Sequence, residues 1–405
     1  MSEAKPNVPK LRFPGFTGPW EQRKLGDVAA FNPKADLPET FEYVDLESVV
    51  GTEMLSHRRE ERRSAPSRAQ RLARQGDIFY QTVRPYQRNN YLFELPDEDY
   101  VFSTGYAQLR PKCDCAFLFS VLQRAAFVNT VLDRCTGTGY PAISSSDLSA
   151  IAIRIPSLPE QRAIGALFRD LDDLITLRQR ELEHTKLMKR GLLQKMFPRS
   201  GSDVPELRFP SFTGPWEQRK LGDVGRAKSG VGFPESEQGG TSGVPFFKVS
   251  DMNRPGNETT LTVSANYVTE EQINKRGWKP VENVPAMFFA KVGAAVMLNR
   301  KRLVEKPFLL DNNTMAYSFD MSHWDKEFGH ALFETVYLPS LCQVGALPSY
   351  NAPDVESLRI PLPPLPEQRA IGALFRDLDD LITLRQRELD HAKLLKKALL
   401  QQMFV

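Results

Sequence analysis

The chain has 405 residues, which suggests two or three domains and enough sequence to bury substantial cores. Hydrophobic residues make up 41% and charged residues 25%, a composition that excludes wholesale disorder and a fibrous repeat. The net charge of +3 does not by itself predict nucleic-acid binding, because phosphate is attracted by local clusters of positive charge.

Cysteine usage and hydropathy indicate the compartment. The four cysteines provide no disulfide framework, which favours a reducing environment. The most apolar stretch, residues 284–298, is interrupted by Lys291 and is too short to span a bilayer. We therefore expect a cytoplasmic protein without a membrane role.

Two sequence elements occur twice. Residues 11–28 recur as residues 207–224 with a single difference, Gly15 against Ser211. Residues 158–182 recur unchanged as residues 365–389. The chain is therefore predicted to consist of two tandem halves.

The segments between these elements, residues 29–136 and 225–343, share little sequence. Both contain short stretches rich in β-formers and an apolar helical stretch near their end, so each predicts a mixed α/β unit. The predicted strands are residues 77–81, 106–110, 246–249, 287–290 and 314–318, and the predicted helices are residues 115–132 and 323–341.

The second repeated element predicts a long helix. After Pro159 and Pro366 no proline occurs for nearly forty residues, and apolar residues recur at helical spacing, which gives a helix of about 38 residues. Acidic residues occupy the early part of each helix and basic residues the late part. Since antiparallel pairing sets acid opposite base, we predict an antiparallel coiled coil between two globular units related by an approximate two-fold axis.

Enzyme signatures are missing from the sequence. It contains no Walker loop, no nucleophile-elbow serine and no zinc-hydrolase histidine pair. Gly230 and Gly232 are followed by Phe-Pro, unlike a dinucleotide fingerprint, and Cys113 with Cys115 is a weak metal signal without a second ligand pair. We predict neither catalytic nor metal-binding residues.

Three kinds of segment indicate DNA binding. Residues 57–74 carry seven arginines against two glutamates, which suits phosphate contacts or, alternatively, a solvated basic face. Residues 81–90 follow a predicted strand, and residues 299–302 occupy a comparable place after a strand ending at Leu298, although polar hairpin tips would look alike.

A third pair of loops, residues 138–146 and 345–353, is matched by the 207-residue offset, but the polar residues in the two loops differ. In the first loop, capping of the following turn by Ser146 and Asp147 would explain some of the polar residues. From these loops, together with Lys248, we predict the following DNA contacts: Arg84, Tyr86, Gln87, Arg88, Asn89, Asn90, Tyr140, Ser144, Ser145, Lys248, Asn299, Arg300, Lys301, Arg302, Tyr350 and Asn351.

The chain resembles the specificity subunit of type I restriction-modification enzymes. The resemblance covers essentially the whole chain and is carried by IPSLPEQRAIGALFRDLDDLI at residues 155–175, IPLPPLPEQRAIGALFRDLDDLI at residues 360–382, and WEQRKLGDV beginning at Trp20 and Trp216. It implies an α+β or mixed α/β fold with two tandem α/β target-recognition domains, residues 1–157 and 200–364. Two long spacer helices, residues 158–199 and 365–405, would form the pseudo-two-fold antiparallel coiled coil between them.

The resemblance also implies a function. The subunit would be non-catalytic, each domain would bind one half of a bipartite double-stranded DNA site, and the helices would fix the gap between the halves. Two modification (methyltransferase) subunits and motor-nuclease restriction subunits would be its partners. S-adenosylmethionine, ATP and Mg would be bound by those partners and not by this chain. The alternatives are a stand-alone tandem DNA-binding protein such as a repressor, and an enzyme with an unrecognised nuclease or methyltransferase site.

Overall fold

The computed structural model describes residues 7–97, 99–137, 139–199, 201–342 and 347–405. The chain divides into two compact units. The first unit comprises residues 1–180 and 387–405, and the second comprises residues 181–386. Each unit therefore combines one α/β head with parts of both long helices.

The first half of the chain contains the following elements: β1 (Glu21–Lys24), α1 (Leu25–Val28), β2 (Ala29–Phe31), β3 (Thr40–Val44), β4 (Val49–Val50), β5 (Glu53–Met54), β6 (Arg58–Glu61), β7 (Ala69–Leu72), β8 (Ile78–Gln81), β9 (Tyr91–Leu92), β10 (Tyr100–Ser103), β11 (Tyr106–Pro111), α2 (Cys115–Gln123), α3 (Ala125–Leu132), α4 (Ser145–Ser149), β12 (Ala152–Ile155) and α5 (Leu158–Met196).

The second half contains β13 (Glu217–Lys220), β14 (Gly225–Ser229), β15 (Val244–Phe247), β16 (Tyr267–Val268), α6 (Glu270–Arg276), β17 (Ala286–Ala290), α7 (Ala294–Met297), β18 (Lys301–Val304), β19 (Leu309–Leu310), β20 (Thr314–Phe319), α8 (Lys326–Thr335), α9 (Ala352–Glu356), β21 (Arg359–Leu362) and α10 (Leu365–Gln402). Short 3₁₀ helices lie at Pro85–Gln87, Leu221–Asp223, Glu235–Glu237, Val249–Asn253 and Leu338–Leu341.

The two heads have corresponding sheets despite their unlike sequences. The order β2-β11-β8-β9 in the first corresponds to β14-β20-β17-β18 in the second, and β1-β12 corresponds to β13-β21. A further sheet, β6-β3-β10-β7 or β16-β15-β19, contains one parallel pair in each head. The predicted mixed α/β units are confirmed.

The predicted strands are present with shifts of one or two residues at their ends. Both predicted head helices are shorter than expected. Residues 115–132 form α2 and α3, which meet at a 66° bend at Arg124, where the backbone is extended. Helix α8 ends at Thr335 because Val336 is extended and Pro339 follows, and proline is disfavoured inside a helix.

Among the described residues, no single helix is long and apolar enough to cross a membrane. The bent pair α2 and α3 would satisfy those criteria only when the two are taken together. Both helices contribute side chains to the core of the first unit, among them Phe117 and Phe127.

The long helices pair antiparallel within each unit, as predicted. In the second unit the Lys189 Nζ donates to Asp379 Oδ1 at 2.6 Å, and in the first unit the ammonium of Lys396 donates to Asp172. These two pairs are equivalent under the 207-residue repeat. Early acidic residues of one helix therefore face late basic residues of the other.

The end of each long helix completes a core that lies beside the start of the other long helix. Phe404 packs against Trp20, Phe117 and Phe168 in the first unit, with ring centroids 5.6–5.9 Å apart. Phe197 packs in the same way against Trp216, Phe328 and Phe375 in the second unit, at 5.5–6.1 Å. Burial of such a phenylalanine contributes roughly 1.5–3 kcal/mol.

The other repeated element holds the start of each helix. Arg12 makes a two-pronged ion pair with the buried Glu160 at 2.7 and 2.8 Å, and Trp20 donates to the same carboxylate. Arg208, Glu367 and Trp216 form the equivalent cluster in the second unit. The two repeated elements are thus joined by one buried, fully partnered carboxylate in each unit.

Lys189→Met tests the helix pairing. The buried Lys189 donates to Glu334 of α8 as well as to Asp379, so its removal leaves the partly buried Asp379 and the exposed Glu334 without their cation. We expect a loss of about 2–4 kcal/mol in the free energy of unfolding, measured by urea denaturation. Lys186→Met, one turn away on the same helix, removes a partly exposed lysine that pairs with Glu183 and should cost less than about 1 kcal/mol. Equal losses in both variants would contradict this role.

Candidate nucleic-acid interface

In the first unit, the loop after β8 is held in a strained turn. The 3₁₀ helix Pro85–Gln87 is flanked by Arg84 and Arg88, whose φ angles are 55° and 57°. The left-handed region costs roughly 1–2 kcal/mol for residues other than glycine. Such strain persists where the surrounding structure enforces it, often at functional sites.

A second loop, predicted separately from the sequence, holds this turn in place. The Arg84 N–H donates to the Pro141 carbonyl at 2.8 Å, and the Ile143 N–H donates to the Thr82 carbonyl at 3.0 Å. The Arg84 guanidinium lies 4.4 Å from the centre of the Tyr140 ring, a cation–π contact. Segments more than fifty residues apart in sequence therefore form one surface.

We call this surface the first polar surface and define it by five residues that line it: Arg84, Tyr86, Gln87, Arg88 and Tyr140. All are exposed except Arg84, which is partly covered. The two tyrosines are half or more exposed although they are large and partly apolar, which is typical of side chains that contact a ligand. Arginine, glutamine and tyrosine supply the donors and the flat faces that contact phosphates and base edges.

The other predicted residues of these loops have structural partners. The Asn90 side chain is buried and its Oδ1 accepts from the Gln81 N–H at 2.8 Å, while Asn89 Oδ1 accepts from the Gly51 N–H at 2.9 Å. Ser144 Oγ caps α4, and Ser145 Oγ accepts from Asn32 Nδ2 at 2.9 Å. Capping thus occurs in this loop, at Ser144 instead of at Ser146.

The second unit repeats the same backbone frame at Lys291–Gly293. The Gly293 N–H donates to the Pro348 carbonyl at 2.9 Å, and the Tyr350 N–H donates to the Lys291 carbonyl at 3.3 Å. Pro348 and Tyr350 lie 207 positions after Pro141 and Ile143. Gly293 therefore takes the place of Arg84, and the exposed Leu347 takes the place of Tyr140. We call Lys291, Gly293 and Leu347 the second polar surface.

This geometry corrects the comparison of residues 299–302 with residues 81–90. Leu298 does not end a strand, because β17 ends at Ala290 and α7 intervenes, and Lys301 and Arg302 belong to β18. The repeat and the strand end at Ala290 together could have identified Lys291, which the sequence analysis missed.

The side chains of residues 299–302 are mostly engaged within the unit. Lys301 is buried and its Nζ donates to the Val336 carbonyl at 2.7 Å. Asn299 Nδ2 donates to the same carbonyl at 3.1 Å, and Arg302 Nε donates to the Asn257 carbonyl at 2.6 Å. Arg300 is exposed and donates to Asn253. These contacts make Lys301 a structural residue and leave Arg300 as the one best placed for DNA among these four.

The remaining predicted residues of the second half are also engaged. The Tyr350 hydroxyl is buried and donates to the Ala290 carbonyl at 2.5 Å. Asn351 caps α9 by accepting from the Asp354 N–H at 3.0 Å. Lys248 Nζ donates to Gln238 Oε1 at 3.2 Å and is partly exposed. Thr138 and Gly345, the first residues of the predicted loops 138–146 and 345–353, lie outside the described residues.

The arginine-rich segment 57–74 is partly neutralised. Arg58 pairs with Asp45 and Glu60, and Arg59 lies 3.6 Å from Glu42. Burial lowers the pKa of Arg71, which lies in β7. Arg63, Arg68 and Arg74 are exposed. The exposed positive charge of this segment therefore comes mainly from the arginines outside β6 and β7.

Three side chains of the second unit could in principle bind a metal ion. Ligand atoms of His330, Glu334 and Asp379 lie within 4.8 Å of one another. However, the Lys189 ammonium donates to both carboxylates at 2.6 Å. Burial raises the pKa of Asp379 and lowers that of His330. Because a lysine already supplies the positive charge, the geometry favours a partly buried ion-pair cluster over a metal site.

Comparison with known proteins places these features in a family. The model of the type I restriction modification DNA specificity domain matches residues 60–186 and 213–394. The MjaVIII specificity subunit of a type I restriction enzyme from Methanocaldococcus jannaschii is 24% identical over 71% of this chain and 68% of its own length. The HindI specificity subunit from Haemophilus influenzae is 24% identical over 44% of this chain and 40% of its own length.

Two solved structures have a similar fold. The S subunit of a type I restriction-modification system from M. genitalium superposes with a TM-score of 0.64 at 15% identity, covering 98% of this chain and 99% of that one. A chain from a study of complex assembly in a type I restriction-modification system gives a TM-score of 0.57 at 23% identity, with the same coverage. These likenesses support the tandem α/β fold with long helices.

Alkaline titration tests the structural role of Lys301. Burial lowers its pKa to about 7 in the folded protein, whereas the unfolded chain keeps the ordinary value. Between these values the unfolded state binds more protons, so this residue makes stability rise as pH increases above 7. Denaturation midpoints measured from pH 7 to 9 should increase in the wild type, and Lys301→Met should reduce that increase. The same slope in both proteins would contradict the assignment.

Proposed function

The chain belongs to the type I restriction-modification DNA specificity family, and we propose that its two polar surfaces each read one half of a bipartite double-stranded DNA site. As the specificity subunit of such a system, it selects the DNA sequence on which the enzyme acts. One observation supports recognition of a different half-site by each surface. The backbone hydrogen bond between Arg84 and Pro141 recurs between Gly293 and Pro348, while the side chains at these positions differ.

The residues of the first polar surface suit both kinds of DNA contact. Arg84, held over the Tyr140 ring, offers a guanidinium of fixed direction to a phosphate, and such contacts set position and supply most of the salt-dependent affinity. Gln87 and Arg88, at the exposed tip, are suited to base edges in the major groove. The second surface presents Lys291 and Leu347, so it is expected to prefer another sequence.

We propose that the chain itself makes or breaks no covalent bond. S-adenosylmethionine, ATP and Mg would then be bound by methyltransferase and restriction subunits. The buried carboxylates Glu160 and Glu367 and the partly buried Asp379 are engaged in ion pairs, which suits structural roles. The paired helices would fix the gap between the two half-sites.

Exposed leucines on the long helices suggest where the modification subunits bind. Leu177 in the first unit and Leu384 in the second occupy the same repeat position and are 52% and 53% exposed. Leu394 and Leu187 form a second such pair and are also exposed. Because each unit presents an equivalent set, we propose that each binds one copy of the same partner through an apolar helix face.

Methylation mapping tests the recognition function. The chain is co-expressed with its modification subunits, and methylated bases are located in genomic DNA by single-molecule sequencing. We expect methylation at one bipartite motif that depends on this chain. Arg88→Ala should weaken or relax one half-site by about 1–3 kcal/mol and leave the other unchanged, while Arg300→Ala serves as the control in the other head. Motif-restricted methylation without this chain would contradict the proposal, as would loss of both halves in Arg88→Ala.

Native mass spectrometry tests the docking surface. Leu177→Asp places a charge on the proposed apolar contact of the first unit, so we expect complexes with one modification subunit instead of two, and Leu177→Asp with Leu384→Asp should lose both. Val263→Asp changes an exposed aliphatic residue of the second head, 42% exposed, and should retain both partners. Full assembly of the double variant would rule out this surface.

A further inference from the structure

A buried glutamine lies directly beneath the tip of the first polar surface. Gln81 is the last residue of β8, is only 2% exposed, and pairs with Tyr106 of the neighbouring strand. Its backbone N–H donates to Asn90 Oδ1 at 2.8 Å, and the Asn90 N–H donates to the Gly51 carbonyl at 3.0 Å. The position of Gln81 is therefore fixed by the sheet on one side and by the returning loop on the other.

The Gln81 side chain binds one end of the Gln87 amide. Its Nε2 donates to Gln87 Oε1 at 2.8 Å. Gln87 is exposed and is the last residue of the 3₁₀ helix. This helix is flanked by Arg84 and Arg88, which both have left-handed φ angles, and the Arg84 N–H donates to the Pro141 carbonyl. Because the Gln87 oxygen faces Gln81 and one of its two lone pairs is occupied, its Nε2 group, with two N–H donors, is the end best placed to contact a ligand.

We propose that Gln81 is a positioning residue that restricts Gln87 to donating, so that the first unit prefers a base with acceptors on its major-groove edge. A free glutamine amide reads adenine with both ends, accepting from N6 and donating to N7. With its oxygen held toward Gln81, the amide is turned out of that bidentate geometry and presents its donors, and guanine offers two acceptors, N7 and O6. This inference rests on the proposed recognition function and predicts guanine over adenine at one position.

The second unit lacks this arrangement. Ala290 ends β17 at the place where Gln81 ends β8, so no side-chain amide is available there to hold a neighbour. The half-site read by the second unit is therefore an internal control for folding and assembly in every variant of the first.

Two substitutions and their combination test the inference in the complete complex with its modification subunits, by sequencing methylated motifs. Gln81→Met keeps a side chain of similar length and frees the Gln87 amide, so adenine should rise about tenfold relative to guanine at one position. Gln87→Glu presents only acceptors, so the preference there should move to cytosine or adenine, which have donors. In the Gln87→Glu background, Gln81→Met should change base choice less than twofold, because both carboxylate oxygens accept.

The outcomes separate this inference from the proposed function. An unchanged ratio of guanine to adenine in Gln81→Met overturns the positioning role, and so does an equal change in the Gln87→Glu background. Loss of first half-site recognition in either single variant also overturns the inference, because the inference predicts an altered base choice and not a loss of recognition. Absence of any motif-restricted methylation with the wild-type chain would instead mean that the proposed function fails.

Discussion

The antiparallel pairing of the two long helices is the constraint on which the rest of the structure depends. Neither helix can bury its apolar side alone, and the residues at its end are part of a core formed around the start of the other. Phe404 and Phe197 occupy equivalent places among aromatic side chains in their respective units. In the observed register Lys189 pairs with Asp379 and Lys396 pairs with Asp172, which are equivalent positions of the two helices.

The repeated sequence and the variable sequence have separate physical tasks. Repeated residues supply the clusters around Glu160 and Glu367 and the helix pairing, which are side-chain interactions that need particular residues. The frames of the two polar surfaces instead depend on backbone hydrogen bonds, as at Arg84 and Gly293, which tolerate almost any side chain. A scaffold of this kind can change its surface chemistry while its fold remains the same.

The internal repeat made much of the fold predictable. Identity between the two copies allowed charge to indicate the orientation of the helices, and the 207-residue offset located the loops at Pro141 and Pro348. The candidate contacts were less predictable, because residue type does not reveal burial. Lys301 and Tyr350 look like surface residues in the sequence, yet strand pairing and the neighbouring carbonyl groups draw both into the second unit. Helix α7 separates β17 from residues 299–302, and the spacing of apolar residues in the sequence did not indicate where α7 begins.

Completion of the first core by Phe404 has a consequence for biosynthesis. Phe404 follows Phe168 by 236 positions, so at roughly 5–20 residues per second a ribosome needs on the order of ten seconds or more to deliver it. During that interval Trp20, Phe117 and Phe168 lack the Phe404 ring that packs against all three in the folded protein. The head translated first is thus the one whose core is completed last.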